Sequence, residues 1–160
     1  MGRAVIVFAL AIVGFALSDI GVVAQGWCNV SVSNHTVDLG LLAPVNLTAS
    51  LIADDKVLNV TLGTGFCTGQ VSSVCGTDAV VSISEGGKCV DSFEAITGPA
   101  FAYNSDVFVK AWSTSTTAVA VLKFTCNPAV PVGHAVLAGP IIRSTIAEYD
   151  INFNTAAVCV

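Results

Sequence analysis

The chain has 160 residues and carries six basic against eleven acidic side chains, a formal net charge of −5. No basic cluster is present, so the composition excludes the electrostatic footprint with which proteins bind nucleic acid or anionic membrane surfaces.

The N-terminus has the layout of a secretory signal peptide over residues 1–24. Arg3 supplies the positive charge, an apolar stretch follows over residues 4–17, and small residues precede the predicted cleavage site. Ser18 ends the apolar run before it reaches the roughly 20 residues that a membrane-spanning helix needs. We therefore expect a single mature domain over residues 25–160 with no membrane span, located in the lumen of the endoplasmic reticulum, Golgi or lysosome, or outside the cell.

Short Val- and Thr-rich runs, separated by Gly, Ser and Asn, predict strands throughout the mature chain. The last strand places Tyr149, Ile151 and Phe153 on one face and polar residues on the other. A possible helical turn is expected only at residues 91–96, and the prolines and glycines of residues 127–143 predict a long loop or irregular edge. The fold class we predict is all-β, a flattened antiparallel β-barrel or sandwich of two crossing sheets. The predicted strands cover residues 57–62, 79–83, 107–112, 119–126 and 146–154.

All cysteines lie in the predicted mature chain, and their even number behind a signal peptide predicts three disulfides. Six cysteines allow 15 pairings, and the spacing does not choose among them. We expect no metal and no cofactor, because no Cys-x-x-Cys pair is present and His35 and His134 are not at ligand spacing. The six are Cys28, Cys67, Cys75, Cys89, Cys126 and Cys159.

Four Asn-x-Ser/Thr sequences occur within the first part of the mature chain. Behind a signal peptide these are acceptors for N-glycosylation, so that region must present solvent-facing positions. The predicted acceptors are Asn29, Asn34, Asn46 and Asn59.

The candidate catalytic residues do not combine into an active site. Cys67 lies in a Gly-x-Cys-x-Gly pattern, but no helix signal follows it and an oxidising compartment favours a disulfide. Glu148 and Asp150 share one strand face about 7 Å apart, so they cannot flank a glycosidic bond from both sides. His134 is a lone loop histidine. We therefore predict that the protein is not an enzyme.

Several segments of the mature chain, taken in their order along the sequence, resemble the mannose 6-phosphate receptor homology domain, a lectin-like module of lysosomal sorting receptors. Members commonly have eight cysteines; this chain lacks two that bond to each other in the family, one of them where Ala147 stands. The resemblance implies the disulfides Cys28–Cys67, Cys75–Cys89 and Cys126–Cys159. The segments are Cys28, residues 37–42, residues 58–67 ending at Cys67, Lys123-Phe124-Thr125-Cys126, and Tyr149-x-x-x-Phe153-x-Thr155-x-x-x-Cys159.

The family's sugar site holds mannose with a Gln, an Arg, a Glu and a Tyr, and the resemblance retains only Tyr149. Val90 stands at the Gln position, residues 117–119 hold no cation, and the stretch that should supply the Glu contains Arg143. The loss of two charged hydrogen-bonding groups, at about 1.5 to 3 kcal/mol each, removes useful affinity for a monosaccharide. The resemblance thus implies a domain that keeps the family's fold but does not bind mannose 6-phosphate.

The predicted function is therefore that of a non-enzymatic binding or structural module with a protein or glycoprotein partner in the secretory or endolysosomal pathway. The alternative is a weak lectin of altered specificity, with a pocket near Tyr149 that uses Arg143 and Trp112. This alternative includes the first domain of a truncated sorting receptor.

Overall fold

Twelve strands make up most of the computed structural model, which describes residues 28–32, 34–67, 74–76, 79–95, 100–113, 116–145 and 148–160. The predicted signal peptide lies outside the described residues. A short 3₁₀ turn at Leu39–Leu41 follows the second strand and is capped by Asp38, whose Oδ1 accepts a hydrogen bond from the Gly40 amide at 2.8 Å. The strands are β1 (Asn29–Val32), β2 (His35–Asp38), β3 (Val45–Ala53), β4 (Lys56–Thr64), β5 (Val81–Glu85), β6 (Lys88–Ala95), β7 (Phe101–Tyr103), β8 (Asp106–Ser113), β9 (Val119–Cys126), β10 (Val136–Leu137), β11 (Ile141–Thr145) and β12 (Glu148–Thr155).

Eight of these strands close into a barrel in the order β12-β11-β3-β4-β5-β6-β8-β9, with β9 returning to β12. Two short strands lie outside this ring order: β7 pairs with β8 beyond the end of β6, and β10 pairs with β12 beyond the end of β11. The strands β1 and β2 form a separate two-stranded sheet. The all-β barrel prediction is confirmed, and a closed ring removes the exposed strand edges that promote aggregation.

Two of the barrel pairings are parallel rather than antiparallel. The strands β9 and β12 pair over their full length, from Val119 opposite Glu148 to Cys126 opposite Thr155, and β11 pairs with the end of β3. Parallel neighbours need a crossover connection, and residues 127–147 provide the one between β9 and β12. The predicted irregular segment is therefore this crossover, and it contains β10 and β11.

The barrel interior is filled by the inward side chains of alternating strands. In β12 the side chains of Tyr149, Ile151 and Phe153 are buried, as their alternation predicts. Phe153 stacks on Phe124 of β9 with ring centroids 5.4 Å apart, and Phe66 meets both rings edge-on at 5.3 Å. This aromatic cluster makes β9, β12 and the segment after β4 parts of one core.

Three disulfides form, Cys28–Cys67, Cys75–Cys89 and Cys126–Cys159, and these are the pairs that the resemblance implies. Cys28–Cys67 ties the small β1–β2 sheet to the barrel, while Cys126–Cys159 fastens the turn after β12 to the end of β9. Such bonds persist in an oxidising environment, so the chain belongs to a secreted or lumenal setting.

The expected helical turn at residues 91–96 is wrong for its described part, because β6 continues through this segment to Ala95. Pairing with β5 on one side and β8 on the other holds the segment extended. Tertiary strand pairing has overridden a weak local signal.

Candidate functional site

Tyr149, the one sugar-site residue that the resemblance retains, lies inside one end of the barrel. It is the second residue of β12, and its side chain is only 2% exposed. Its ring meets Phe93 of β6 edge-on at 5.5 Å, and the guanidinium carbon of Arg143 lies 5.3 Å from the ring centroid. The β11–β12 register places Arg143 opposite Tyr149, so the cation–π contact follows from strand pairing.

Asp91 supplies a buried carboxylate at the same end of the barrel. Its Oδ1 accepts hydrogen bonds from the Ser113 hydroxyl and, at 3.1 Å, from the Ser92 amide, while Oδ2 accepts one from Thr116 Oγ1 at 3.3 Å. The carboxylate thereby joins β6 to the β8–β9 turn. Sequence reasoning missed Asp91, and its burial could be recognised only once β6 was known to be extended, because the strand also holds Lys88, Ser92 and Glu94.

We call Asp91, Arg143 and Tyr149 the barrel-end site. An open cavity of about 420 Å³ adjoins it, lined by Asp54, Arg143, Ser144 and Thr145. Arg143 therefore reaches both the buried tyrosine ring and the cavity. The lining combines the Arg143 cation, the Asp54 carboxylate and two hydroxyl groups, and a concave surface of this polarity suits a polyhydroxylated small ligand.

Burial raises the pKa of the Tyr149 phenol, and the negative charge of Asp91 raises it further, against an opposing effect of the Arg143 cation. The folded protein therefore favours the neutral phenol over the phenolate more strongly than the unfolded chain does. Stability from this group is fully present below about pH 10 and is lost as the pH rises above that value.

We expect the free energy of unfolding to fall more steeply as the pH rises above about pH 10 in the wild type than in Tyr149→Phe. Urea unfolding at each pH measures this difference, and subtraction of the two curves removes contributions from lysines. Tyr103→Phe is the matched control, because Tyr103 is exposed and should keep the wild-type curve. Parallel curves for wild type and Tyr149→Phe would contradict the assignment.

The other sequence candidates are not brought to the barrel-end site. Glu148 and Asp150 lie on the outward face of β12, opposite in direction to Tyr149. His134 is exposed in the crossover, where its backbone carbonyl accepts a hydrogen bond from Thr155 Oγ1 at 2.7 Å. Trp112 points outward from β8. It therefore does not join Arg143 and Tyr149 in one pocket, although the lectin alternative required that it should.

The outer surface of β7, β8 and β9 carries a second feature, which we call the outer aromatic face: Phe101, Tyr103, Phe108, Trp112 and Lys123. Phe101 and Phe108 are register partners and stack with centroids 5.2 Å apart and planes 8° apart. Three of its rings are exposed, Tyr103 to 66%, Trp112 to 52% and Phe101 to 47%. Sequence reasoning assigned none of these residues except Trp112 to a binding role, and Phe101 and Tyr103 were missed because β7 was not predicted.

Lys123 of β9 borders the outer aromatic face. Its Nζ lies 5.8 Å from the Phe108 ring centroid and 2.8 Å from the Asp106 carboxylate. Burial by itself raises the pKa of Asp106, but hydrogen bonds from Lys123 and Thr125, together with the Lys123 charge, outweigh it and lower that pKa. The ion pair holds the ammonium against the stacked rings.

All four predicted glycosylation acceptors are exposed. Asn29 and Asn34 belong to the β1–β2 hairpin, whereas Asn46 and Asn59 lie on the outward faces of β3 and β4. The Ser or Thr two residues after each acceptor is exposed as well. These positions meet the accessibility that glycosylation requires.

Within the described ranges, no three or more His, Cys, Asp and Glu side chains group as metal ligands. The part of the chain that the structure describes contains no helix long and apolar enough to cross a membrane. No protein-family model matches the chain, and no curated protein matches it in sequence.

Proposed function

We propose that this chain is a non-enzymatic binding module of the secretory or endolysosomal pathway, and that its outer aromatic face docks a protein or glycoprotein partner. The observation that carries the proposal is the exposure of Phe101, Tyr103 and Trp112 on one sheet face. The disulfide pairs support the resemblance to the mannose 6-phosphate receptor homology domain, because they are those that it implies.

Exposed aromatic rings are what the centres of protein interfaces use. Tyr and Trp are enriched among residues that dominate binding energy, because they bury a large area at low conformational cost. The stacked Phe101–Phe108 pair gives the outer aromatic face a rigid centre. About 13 Å of strand separates Phe108 from Trp112, a span that suits a protein surface better than one sugar ring.

The position of this face in the barrel supports the same use. In the ring of eight strands, β8 is four strands away from β3 in either direction, so the two strands lie on opposite sides. Glycans on Asn46 and Asn59 would therefore point away from Tyr103 and Trp112.

In an affinity capture from a secretory-lumen extract, we expect a partner that binds the wild type to lose at least about tenfold in affinity for Tyr103→Ser/Trp112→Ser, because each interface aromatic contributes on the order of 1 kcal/mol or more. Quantitative mass spectrometry of the retained proteins, followed by calorimetry with the purified partner, measures the loss. Val132→Ser, an exposed apolar residue of the crossover, is the control and should bind as the wild type does. Equal retention by the double variant would refute the proposal.

A second candidate function is carbohydrate binding at the barrel-end site, favoured by Arg143 beside the 420 Å³ cavity. It ranks second because Tyr149 is buried and its ring is covered by Arg143, so little of it remains for a sugar. A glycan array in the same experiment separates the two: glycan binding that survives Tyr103→Ser/Trp112→Ser and disappears in Arg143→Gln would favour this candidate.

A further inference from the structure

An apolar row crosses the outward face of three barrel strands away from the outer aromatic face. Ile142 of β11 is opposite Ile52 of β3, and Ile52 is opposite Val57 of β4. Their exposures are 41%, 37% and 65%. With strands about 4.8 Å apart, the row is about 10 Å long. It is a continuous strip of aliphatic side chains in water.

A groove of about 490 Å³ adjoins two residues of this row, Ile52 and Val57. Its lining includes the apolar side chains of Ile52, Val57, Leu137 and Pro140 together with the hydroxyl side chains of Thr48 and Ser50. The hairpin β3–β4 thus supplies one side of the groove, and the β10–β11 connection supplies the other. The mixture of aliphatic walls and hydroxyl groups suits a ligand that has both apolar faces and hydroxyls.

Asn59 lies beside this groove, on β4. It is two residues from Val57 on the same outward face of β4, about 7 Å along the strand. Its register partner is Ser50, which lines the groove. Asn59 and Thr61 of the acceptor sequence are both exposed, so the amide is accessible to modification. The attachment point, the groove and the apolar row are therefore contiguous.

We propose that Asn59 carries an N-linked glycan whose first N-acetylglucosamine residues lie in this groove and cover the row of Ile142, Ile52 and Val57. Attachment forms a bond between Nδ2 of Asn59 and C1 of the sugar, with loss of one amide proton. The bond from C1 to the diphosphate of a lipid-linked oligosaccharide breaks, and the lipid diphosphate leaves. The apolar faces and acetyl methyl groups of the sugars then remove the row from water.

The geometry distinguishes Asn59 from the other acceptor on this hairpin. Asn46 of β3 is two residues from the groove-lining Thr48 but six residues from Ile52, about 20 Å along the strand, so a glycan there reaches the row only with its distal sugars. The acceptors Asn29 and Asn34 belong to the separate β1–β2 sheet. The predicted covering role is therefore specific to Asn59, and Asn46 provides a matched control.

The experiment uses the full chain expressed in a eukaryotic secretory host. Peptide mapping should find glycan on Asn59. Nuclear Overhauser contacts should join acetyl methyl protons of its proximal sugars to the methyl groups of Val57 and Ile52. Binding of an apolar fluorescent dye should rise severalfold in Asn59→Gln and equally in Thr61→Ala, which removes the acceptor sequence but keeps Asn59. Asn46→Gln should bind the dye as the wild type does.

An unmodified Asn59, or a modified one without sugar contacts to Val57 and Ile52, overturns the proposal. So does a wild-type level of dye binding in both variants that lack the glycan. Sedimentation gives a further test: if the row is covered by a second copy of the chain in the fully glycosylated wild type, the sugars do not occupy the groove. These outcomes are independent of any partner at the outer aromatic face.

Discussion

Phe153→Ala is expected to lower the free energy of unfolding by about 3 to 5 kcal/mol, a large part of the stability of a domain this size. Phe153 is fully buried, stacks on Phe124 and meets Phe66 edge-on. Truncation removes both ring contacts and leaves a cavity between β9 and β12, whose parallel pairing closes the barrel. The loss therefore combines transfer of a large apolar side chain with a cavity that a closed barrel cannot easily collapse.

Urea unfolding with the disulfides intact measures this loss. Phe101→Ala is the matched control: it also removes a stacked phenylalanine ring, but from an exposed position, and should cost less than about 1 kcal/mol. A double-mutant cycle of Phe66→Leu with Phe153→Leu should show a coupling of about 0.5 to 1.5 kcal/mol. Similar losses for Phe153→Ala and Phe101→Ala would show that the aromatic cluster does not hold the barrel closed.

The strands that could be predicted from the sequence are those in which large apolar side chains alternate with polar ones. The prediction for residues 119–126 coincides with β9, and Tyr149, Ile151 and Phe153 lie on the buried face of β12 as expected. The strand β3 alternates too, but Ala49 and Ala53 occupy two of its inward positions, so the contrast between its faces is weak. Strand prediction here depended on side-chain size.

The order of the strands around the barrel was not predictable, because it depends on pairings between segments far apart in the chain. Two pairings are parallel, β9 with β12 and β3 with β11, and parallel pairs need a crossover connection. The prolines and glycines of residues 127–143 led to the prediction of a loop there. Local sequence carries no register information across such distances. An all-β class was therefore available from the sequence, whereas the ring order was not.

The barrel-end site was partly predictable. Tyr149 and Arg143 were both singled out, but their contact depends on the irregular β11–β12 register, where Arg143 is opposite Tyr149 and Thr145 opposite Glu148. Asp91 belongs to the site because β6 is extended and passes the β8–β9 turn. The helical turn that was expected at residues 91–96 did not predict this placement. Each omission in the site follows from an error in strand assignment.

Removal of the disulfide Cys28–Cys67 should lower the free energy of unfolding more than removal of either other disulfide. This bond closes a loop of 39 residues, for which chain entropy predicts about 4 kcal/mol. Both cysteines are buried, so Cys28→Ala/Cys67→Ala also loses packed sulfur atoms, and we expect a total loss of about 5 kcal/mol. The β1–β2 hairpin depends on this bond because it pairs with no barrel strand.

The matched control is Cys75→Ala/Cys89→Ala, which opens a loop of only 14 residues for an expected loss of about 3 kcal/mol. Amide hydrogen exchange separates the two effects by location. Without Cys28–Cys67, the amides of β1 and β2 should lose their protection before those of the barrel strands, because the hairpin can detach while the ring of eight strands stays closed. In the control variant the amides of β1 and β2 should exchange together with those of the barrel strands. Hairpin amides that stay protected in both variants would show that the buried side chains of Val30, Val32 and Val37 hold the hairpin without the covalent bond.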